Sequence, residues 1–218
     1  LGKDNFESER VTVASTNIWD KILGINNIQK GIDIGVAKCG VVTSADNIYY
    51  VDNNLINTKS LERDIIYPIL GPENLEKYLL GISETYCIYP YEIIENKTTL
   101  LDESIIKSKF PNIYIYLKEN EEKLRKRSKG RDNYLKSTNW YQLNRPREKW
   151  IYDSIKIIYP GTTQKAKFAI DFNRSLFRNA RLYSFILYEE DIQHYKCLTA
   201  ILNSKFCEYL IRLKCPPK

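Results

Sequence analysis

The chain has 218 residues, 43% hydrophobic and 28% charged, the balance of a soluble globular protein with a sizeable core. No apolar run approaches the roughly 20 residues a membrane helix needs, and the start Leu1-Gly2-Lys3 has no signal-peptide shape. The net charge of +6 is unevenly placed: residues 1–120 carry 12 Lys/Arg against 17 Asp/Glu, residues 121–149 carry 10 against 4, and residues 150–218 carry 11 against 6. A basic half on a soluble chain favours a polyanion partner, because neutralising phosphates releases counterions. An anionic membrane surface would want an amphipathic basic helix, and no such helix is visible.

Residues 1–30 read as a connector with one helix, Asn17–Leu23, capped by Ser15 or Thr16 and stopped by Gly24. A start at Leu1 and the absence of Met are what a piece cut from a longer protein would show. Gly40–Asn47 reads as a strand running into a loop, with Ile48–Val51 as the returning strand. Pro72–Leu80 has Pro in a first-turn position and an acid beside it, ending at Gly81, which predicts a short helix. Tyr86–Tyr91 is strand-like.

Pro111 opens a predicted helix from Asn112 to about Arg127, with Ile113, Leu117 and Leu124 on one face. Glu119, Glu121 and Glu122 precede Lys123, Arg125, Lys126 and Arg127, an order that helix dipole and i,i+4 pairing explain without any ligand. Lys156–Tyr159 is a buried-type strand leaving through Pro160-Gly161, with Lys167–Asp171 as its neighbour and Tyr183–Tyr188 as a third. The last helix carries Leu198, Ile201, Leu202, Phe206, Tyr209, Leu210 and Leu213 on one face, one long amphipathic helix. Strands and helices without regular alternation give an α+β fold, with mixed or antiparallel strands and flanking helices.

The densest run is Asn139–Trp150. It holds two Trp, a Tyr, three amides and the cations Arg145, Arg147 and Lys149 around Pro146. Arg forks match phosphates and guanine edges, while aromatic faces stack on bases. The alternative is a solvated basic loop whose Trp residues pack inward.

Catalytic constellations are absent from the sequence. There is no glycine-rich dinucleotide or phosphate loop, no nucleophile elbow, and no acid spacing for two metals. The five Cys form no C-x-x-C pair and His194 is the sole histidine, so no zinc set is expected. Reduced thiols in a cytoplasmic protein are the expectation.

Four ordered stretches resemble the TaqI-type C-terminal specificity domain of adenine-specific DNA methyltransferases and fused restriction–modification enzymes. They are Gly40–Val51; Ile69–Tyr78 followed by Ile88–Tyr91; Phe110–Leu117 through Trp140–Leu143 and Lys156–Pro160; and Ala200–Phe206 with its Leu-Asn-Ser. The match runs over about residues 32–213.

The resemblance implies that residues 31–218 form a target-recognition domain closing over duplex DNA. The catalytic Asn-Pro-Pro-Tyr motif would lie in an upstream domain that flips an adenine and methylates it with S-adenosylmethionine, with or without a fused endonuclease. The fragment itself would need no cofactor and no metal. Lys123, Arg125, Lys126, Arg127, Arg145, Arg147 and Lys149 are the expected phosphate contacts. Thr43, Ser44 and Asn47 with Thr162, Thr163, Gln164, Lys165 and Lys167 are the expected base readers, and Trp140 and Tyr141 the stacking rings. Two alternatives stay open: an RNA-binding module stacking bases on Trp140, Tyr141 and Tyr159, and a protein-interaction domain using the basic half.

Overall fold

A computed structural model describes residues 34–95, 97–127, 138–163 and 165–214, with residues 213 and 214 described by backbone alone. The predicted connector helix Asn17–Leu23 and the candidate reader Gln164 lie outside the described residues.

The chain enters through β1 (Gly35–Cys39). Where a loop and a returning strand Ile48–Val51 are expected, Asp46–Tyr49 coils into the single turn α1, and β2 (Tyr50–Asp52) starts only after it. Thr43 causes this, since its hydroxyl donates to the Asp46 carboxylate and accepts from Ala45 N, a local bond that competes with a ladder. Asp52 then caps α2 (Asn53–Thr58) by accepting from Leu55 N at 2.7 Å.

After β3 (Ile66–Leu70) comes a second departure. Pro72–Asn74 makes only a 3-10 turn, and the rest of the predicted helix is the ribbon of β4 (Leu75–Glu76) and β5 (Leu79–Leu80). Tyr78 sits in the left-handed region at φ 67° and gives its N–H to the Phe168 carbonyl at 3.1 Å. A tertiary hydrogen bond thus overrides the local helical signal. β6 (Thr85–Ile88), β7 (Tyr91–Ile94) and β8 (Lys97–Leu100) follow.

Three helices cover the core next: α3 (Glu103–Lys109), α4 (Pro111–Glu119) and α5 (Glu121–Arg125). The single helix expected from Asn112 breaks at Asn120, whose amide donates to the Tyr116 carbonyl at 2.9 Å. The face was right even so: Ile113, Leu117 and Leu124 are all buried. The one-turn α6 (Trp150–Asp153) leads into β9 (Lys156–Pro160), β10 (Ala169–Asp171), β11 (Leu176–Phe177) and β12 (Leu182–Leu187).

The long closing helix is also two, α7 (Ile192–Leu202) and α8 (Lys205–Lys214). Asn203 turns the chain between them. Fully buried, it donates from Nδ2 to Phe168 O (2.7 Å) and accepts at Oδ1 from Phe168 N (3.1 Å), like a strand neighbour. Ile201, Phe206 and Tyr209, predicted for the buried face, remain exposed.

Eight of the twelve described strands form two four-stranded sheets, and β4–β5 and β7–β8 are separate two-stranded antiparallel ribbons. One sheet runs β1-β12-β9-β10, antiparallel throughout; the other runs β11-β3-β6-β2, parallel only between β11 and β3. One antiparallel and one mixed sheet flanked by helices make the α+β architecture. The main core joins Tyr49, Ile69, Ile88, Ile113, Trp140 and Phe177, and a smaller one packs Ile157, Leu187 and Tyr195.

The sheets meet at Gly40–Val42. Val41 N donates to Phe177 O (3.0 Å) and Asn179 N to Val41 O (3.1 Å) on one side, while Val42 and Arg145 exchange both backbone bonds (3.0 and 2.9 Å) on the other. A Cβ on Gly40 would lie 2.1 Å from the Phe177 carbonyl oxygen, so only glycine lets these backbones approach.

Candidate nucleic-acid interface

The Asn139–Trp150 run is an irregular loop held by tyrosine hydroxyls. Tyr49 donates to Tyr141 O (2.6 Å), Tyr152 to Pro146 O (2.9 Å), and Tyr91 accepts from Leu143 N (2.7 Å). Tyr89 Oη lies 3.3 Å from both the Pro146 and Arg147 carbonyl oxygens. Thr98 accepts from Lys149 N (2.7 Å). Irregular backbone drawn into a core must find partners, and here buried phenols supply them. Burial holds the Tyr89 and Tyr152 phenols above their ordinary range and pushes Tyr141 up to about 12. All three remain neutral donors near pH 7.

Trp140 and Tyr141 are not stacking platforms. Both are buried, at 1% and 3% exposure, edge-on to each other, with Lys118 and Arg125 over the Trp140 ring. The exposed ring of the run is Trp150, 41% exposed, with Lys38 Nζ 5.3 Å from its centroid.

The expected phosphate contacts separate into three groups. Arg127 is a clasp: Nε, Nη1 and Nη2 donate at 2.8 Å to the carbonyls of Leu124, Thr43 and Trp140. Arg147, at φ 69°, is likewise drawn in, with Nε on Gly40 O (2.9 Å) and Nη2 on Asn179 Oδ1 (3.2 Å). Arg125 pairs with Glu121, Lys126 with Glu122 and Lys149 with Asp153. Arg145 and Lys123 are exposed and make no ion pair among the described residues.

Among the expected base readers, Thr43 is fully buried with its hydroxyl engaged, so it cannot meet a base edge in this conformation. Ser44 and Asn47 are exposed, Ser44 accepting from Asn144 Nδ2 at 2.7 Å. In the β9–β10 loop, Thr162 and Lys165 are exposed. The Thr163 hydroxyl closes a turn onto Lys165, and Lys167 pairs with Glu76 at 3.0 Å.

Two cavities flank the Gly40–Val42 crossing. One, about 520 Å³, is lined by Lys38, Thr98, Arg145, Arg147 and Ile151 among others. The other, about 400 Å³, is lined by Asp46, Tyr50, Glu73, Arg178, Asn179 and Arg181 beside the Val41–Val42 backbone. Apart from Arg145 and Arg147, none of the side chains named in these linings was singled out from the sequence. The available signal was Arg178-Asn179-Ala180-Arg181, a twice-basic turn in the basic half. The crossing also concentrates strain: Ser44, Arg147 and Ala180 all have positive φ without being glycine. Such outliers persist where the surroundings over-determine them, and they gather at binding sites.

No helix among the described residues is long and apolar enough to cross a membrane. No group of three or more His, Cys, Asp and Glu there is placed to hold a metal ion. Cys39, Cys87, Cys197 and Cys207 are free thiols, and of these Cys87 alone is buried.

The fold is similar to part of the Type IIL restriction-modification enzyme MmeI, solved in complex with DNA. The TM-score is 0.58 at 14% sequence identity, over 87% of this chain and 24% of that one. The chain therefore spans about a quarter of the length of that enzyme. Residues 67–216, which hold the Arg145–Lys149 loop, the Arg178–Arg181 turn and α7, match the TaqI-like C-terminal specificity domain. This chain belongs to the TaqI-like C-terminal specificity domain family.

Proposed function

We propose that residues 31–218 form the duplex-DNA recognition domain of a restriction–modification protein, with 1–30 as its connector. One observation carries this reading above the others. An exposed Arg145, held by backbone bonds on both sides and by a loop pinned through buried phenols, stands at a crossing flanked by two cavities. Phosphate positioning needs cations on a rigid support. Base reading needs donors and acceptors gathered on such a scaffold, and the Asp46–Glu73–Arg178–Arg181 cavity gathers both.

The finer reading follows from family membership together with the absence of a catalytic motif from the sequence. The chain contributes recognition and no bond chemistry. An upstream domain of the same polypeptide, supplied with S-adenosylmethionine, methylates adenine N6, in the cytoplasm where such DNA lies. Labelled methyl donor with duplex DNA tests the division of labour; methyl transfer by this chain alone would overturn it.

Binding of duplex DNA against salt tests the core reading. Several phosphate contacts require affinity to fall linearly on a log–log plot, by about 0.9 in slope per contact. Salt-independent binding, or single-stranded RNA outcompeting duplex, would overturn it. The RNA alternative is weakened by burial of Trp140 and Tyr141 and by Tyr159 being stacked between Phe168 and Tyr183. A protein-contact reading attaches instead to the exposed Ile192, Ile201, Phe206 and Tyr209 of α7 and α8.

A further inference from the structure

Arg178 is held in an unusual way for a surface arginine. Its backbone is fixed by a bridge to Val41 and by its N–H on Leu70 O (3.0 Å). Its guanidinium lies 5.1 Å over the Tyr50 ring, its Nη1 is 3.3 Å from Glu73 Oε1, and its Nε is buried without a hydrogen-bond partner. The Arg178 side chain is 27% exposed and that of Glu73 57%, so the pair has an open edge. That edge borders the cavity shared with Asp46, Asn179 and Arg181.

A planar fork clamped over an aromatic ring has lost most of its rotational freedom before any ligand arrives, which lowers the cost of directional binding. Beside it stands one carboxylate. Two donors next to one acceptor is the complement of a G·C pair seen from the major groove. Guanine offers the acceptors N7 and O6 there, and cytosine the donor N4–H2. An A·T pair offers an alternating pattern and a methyl group, which this arrangement fits poorly.

We propose that the Arg178–Glu73 pair reads one G·C base pair of the recognised duplex, Arg178 taking the guanine and Glu73 the cytosine. The inference rests on the duplex-recognition reading above. The loose 3.3 Å ion pair aims the fork in the free protein and opens toward the base edges on binding. Tyr50 and the Val41 bridge keep the fork in place, and Arg145 and Lys123 supply affinity that does not depend on sequence.

The test is selection from duplexes with a randomised window on the full 218-residue chain, for wild type, Arg178→Gln and Glu73→Gln. Wild type is expected to enrich a site with a fixed G·C pair. Arg178→Gln is expected to lose about tenfold or more of the preference at that pair and to move it toward A·T, since Gln pairs bidentately with adenine. Glu73→Gln, at an exposed position that leaves folding intact, relaxes the same pair. Every other position of the site and the salt slope stay as in wild type.

Two results would overturn the proposal while leaving duplex recognition standing. One is an unchanged enriched site in both variants. The other is uniform weakening on all sequences with the salt slope reduced by about 0.9, which would make Arg178 a phosphate contact. Failure of the wild-type chain to bind duplex at all would sink the recognition reading and this inference with it.

Discussion

The Tyr152 hydroxyl donates to the Pro146 carbonyl across 2.9 Å, joining α6 to the Arg145–Lys149 loop. Tyr89 approaches the same oxygen at 3.3 Å, so two phenols share one acceptor. Removing one should cost about 1–2 kcal/mol, since the carbonyl keeps its other partner. Tyr152→Phe and Tyr89→Phe together should cost more than the sum of the two single changes, because the double variant deprives the part-buried Pro146 carbonyl of both phenols. Urea unfolding of the three variants measures this; strict additivity would rule out a shared acceptor.

Lys156 and Asp171 face each other across β9 and β10, with Nζ and Oδ2 3.0 Å apart and both side chains essentially closed to solvent. Lys156 also donates to the carbonyls of Tyr152 and Ser154, and Asp171 accepts from Asn173 N and Ser175 N. Lys156→Met should destabilise by about 3–5 kcal/mol, because it strands the Asp171 carboxylate in the core. A loss below about 1 kcal/mol in denaturant unfolding would show that the carboxylate finds water or a proton at little cost.

The alkaline limb of stability follows from the phenols. Burial raises Tyr50, Tyr89, Tyr152 and Tyr195 above 10 in the folded state. Past pH 10 the unfolded chain loses these protons first, so it binds fewer than the native one and stability falls as pH rises. Each fully buried phenol contributes a slope of about 1.4 kcal/mol per pH unit. Lys156 has the opposite sign, because desolvation lowers it below 10.5 and its contribution rises with pH up to that value. One lysine against several tyrosines leaves a net loss beginning near pH 10. Unfolding midpoints from pH 8 to 11 check it; Tyr152→Phe should show a shallower decline.

Arg145 and Arg127 lie in the same basic stretch of sequence and should behave oppositely. Arg145→Ala leaves stability within about 0.5 kcal/mol, as at an exposed site, weakens binding to every duplex alike and lowers the salt slope by about 0.9. Arg127→Ala removes donors from Leu124, Thr43 and Trp140 carbonyls and should cost about 2–4 kcal/mol of stability. Equal stabilities for the two variants would refute the division into presented and clasping arginines.

Much of the architecture was legible because periodicity survives folding. Ile113, Leu117 and Leu124 were placed on a buried face although two helices carry them, and β9, β10 and β12 lie close to where alternation put them. What escaped was set by bonds between distant residues. Asn120 and Asn203 break helices through side-chain amides, one bonding a carbonyl four residues back and the other the backbone of Phe168, 35 residues away and just ahead of β10. Tyr78 leaves its helical pattern for the Phe168 carbonyl. The site suffered for the same reason. Trp, Tyr and Arg are the residues that both bind nucleic acid and lock a loop, and sequence alone does not say which of Trp140, Trp150, Arg127 and Arg145 does which. Arg178 and Glu73 are about a hundred residues apart in the chain and become neighbours only through the β3–β11 pairing.

The β9–β10 loop offers a second surface for base reading. Gly161 N donates to Arg181 O at 2.9 Å, which ties the start of this loop to the turn that lines the Glu73–Arg178 cavity. Thr163 is spent on its own turn and Lys167 on Glu76, which leaves Thr162 and Lys165 as the exposed polar side chains of the described part. A lysine held there can reach guanine O6 or N7, and Thr a thymine methyl, each good contact discriminating by about 1–3 kcal/mol. Changing Gln164 and Lys165 together to Ala should therefore alter the enriched sequence at one or two pairs, outside the one assigned to Arg178. It should leave the salt slope lower by no more than the single contact Lys165 could make. An unchanged site bound at wild-type affinity would remove the loop from recognition and leave the Gly40–Val42 crossing as the reading surface.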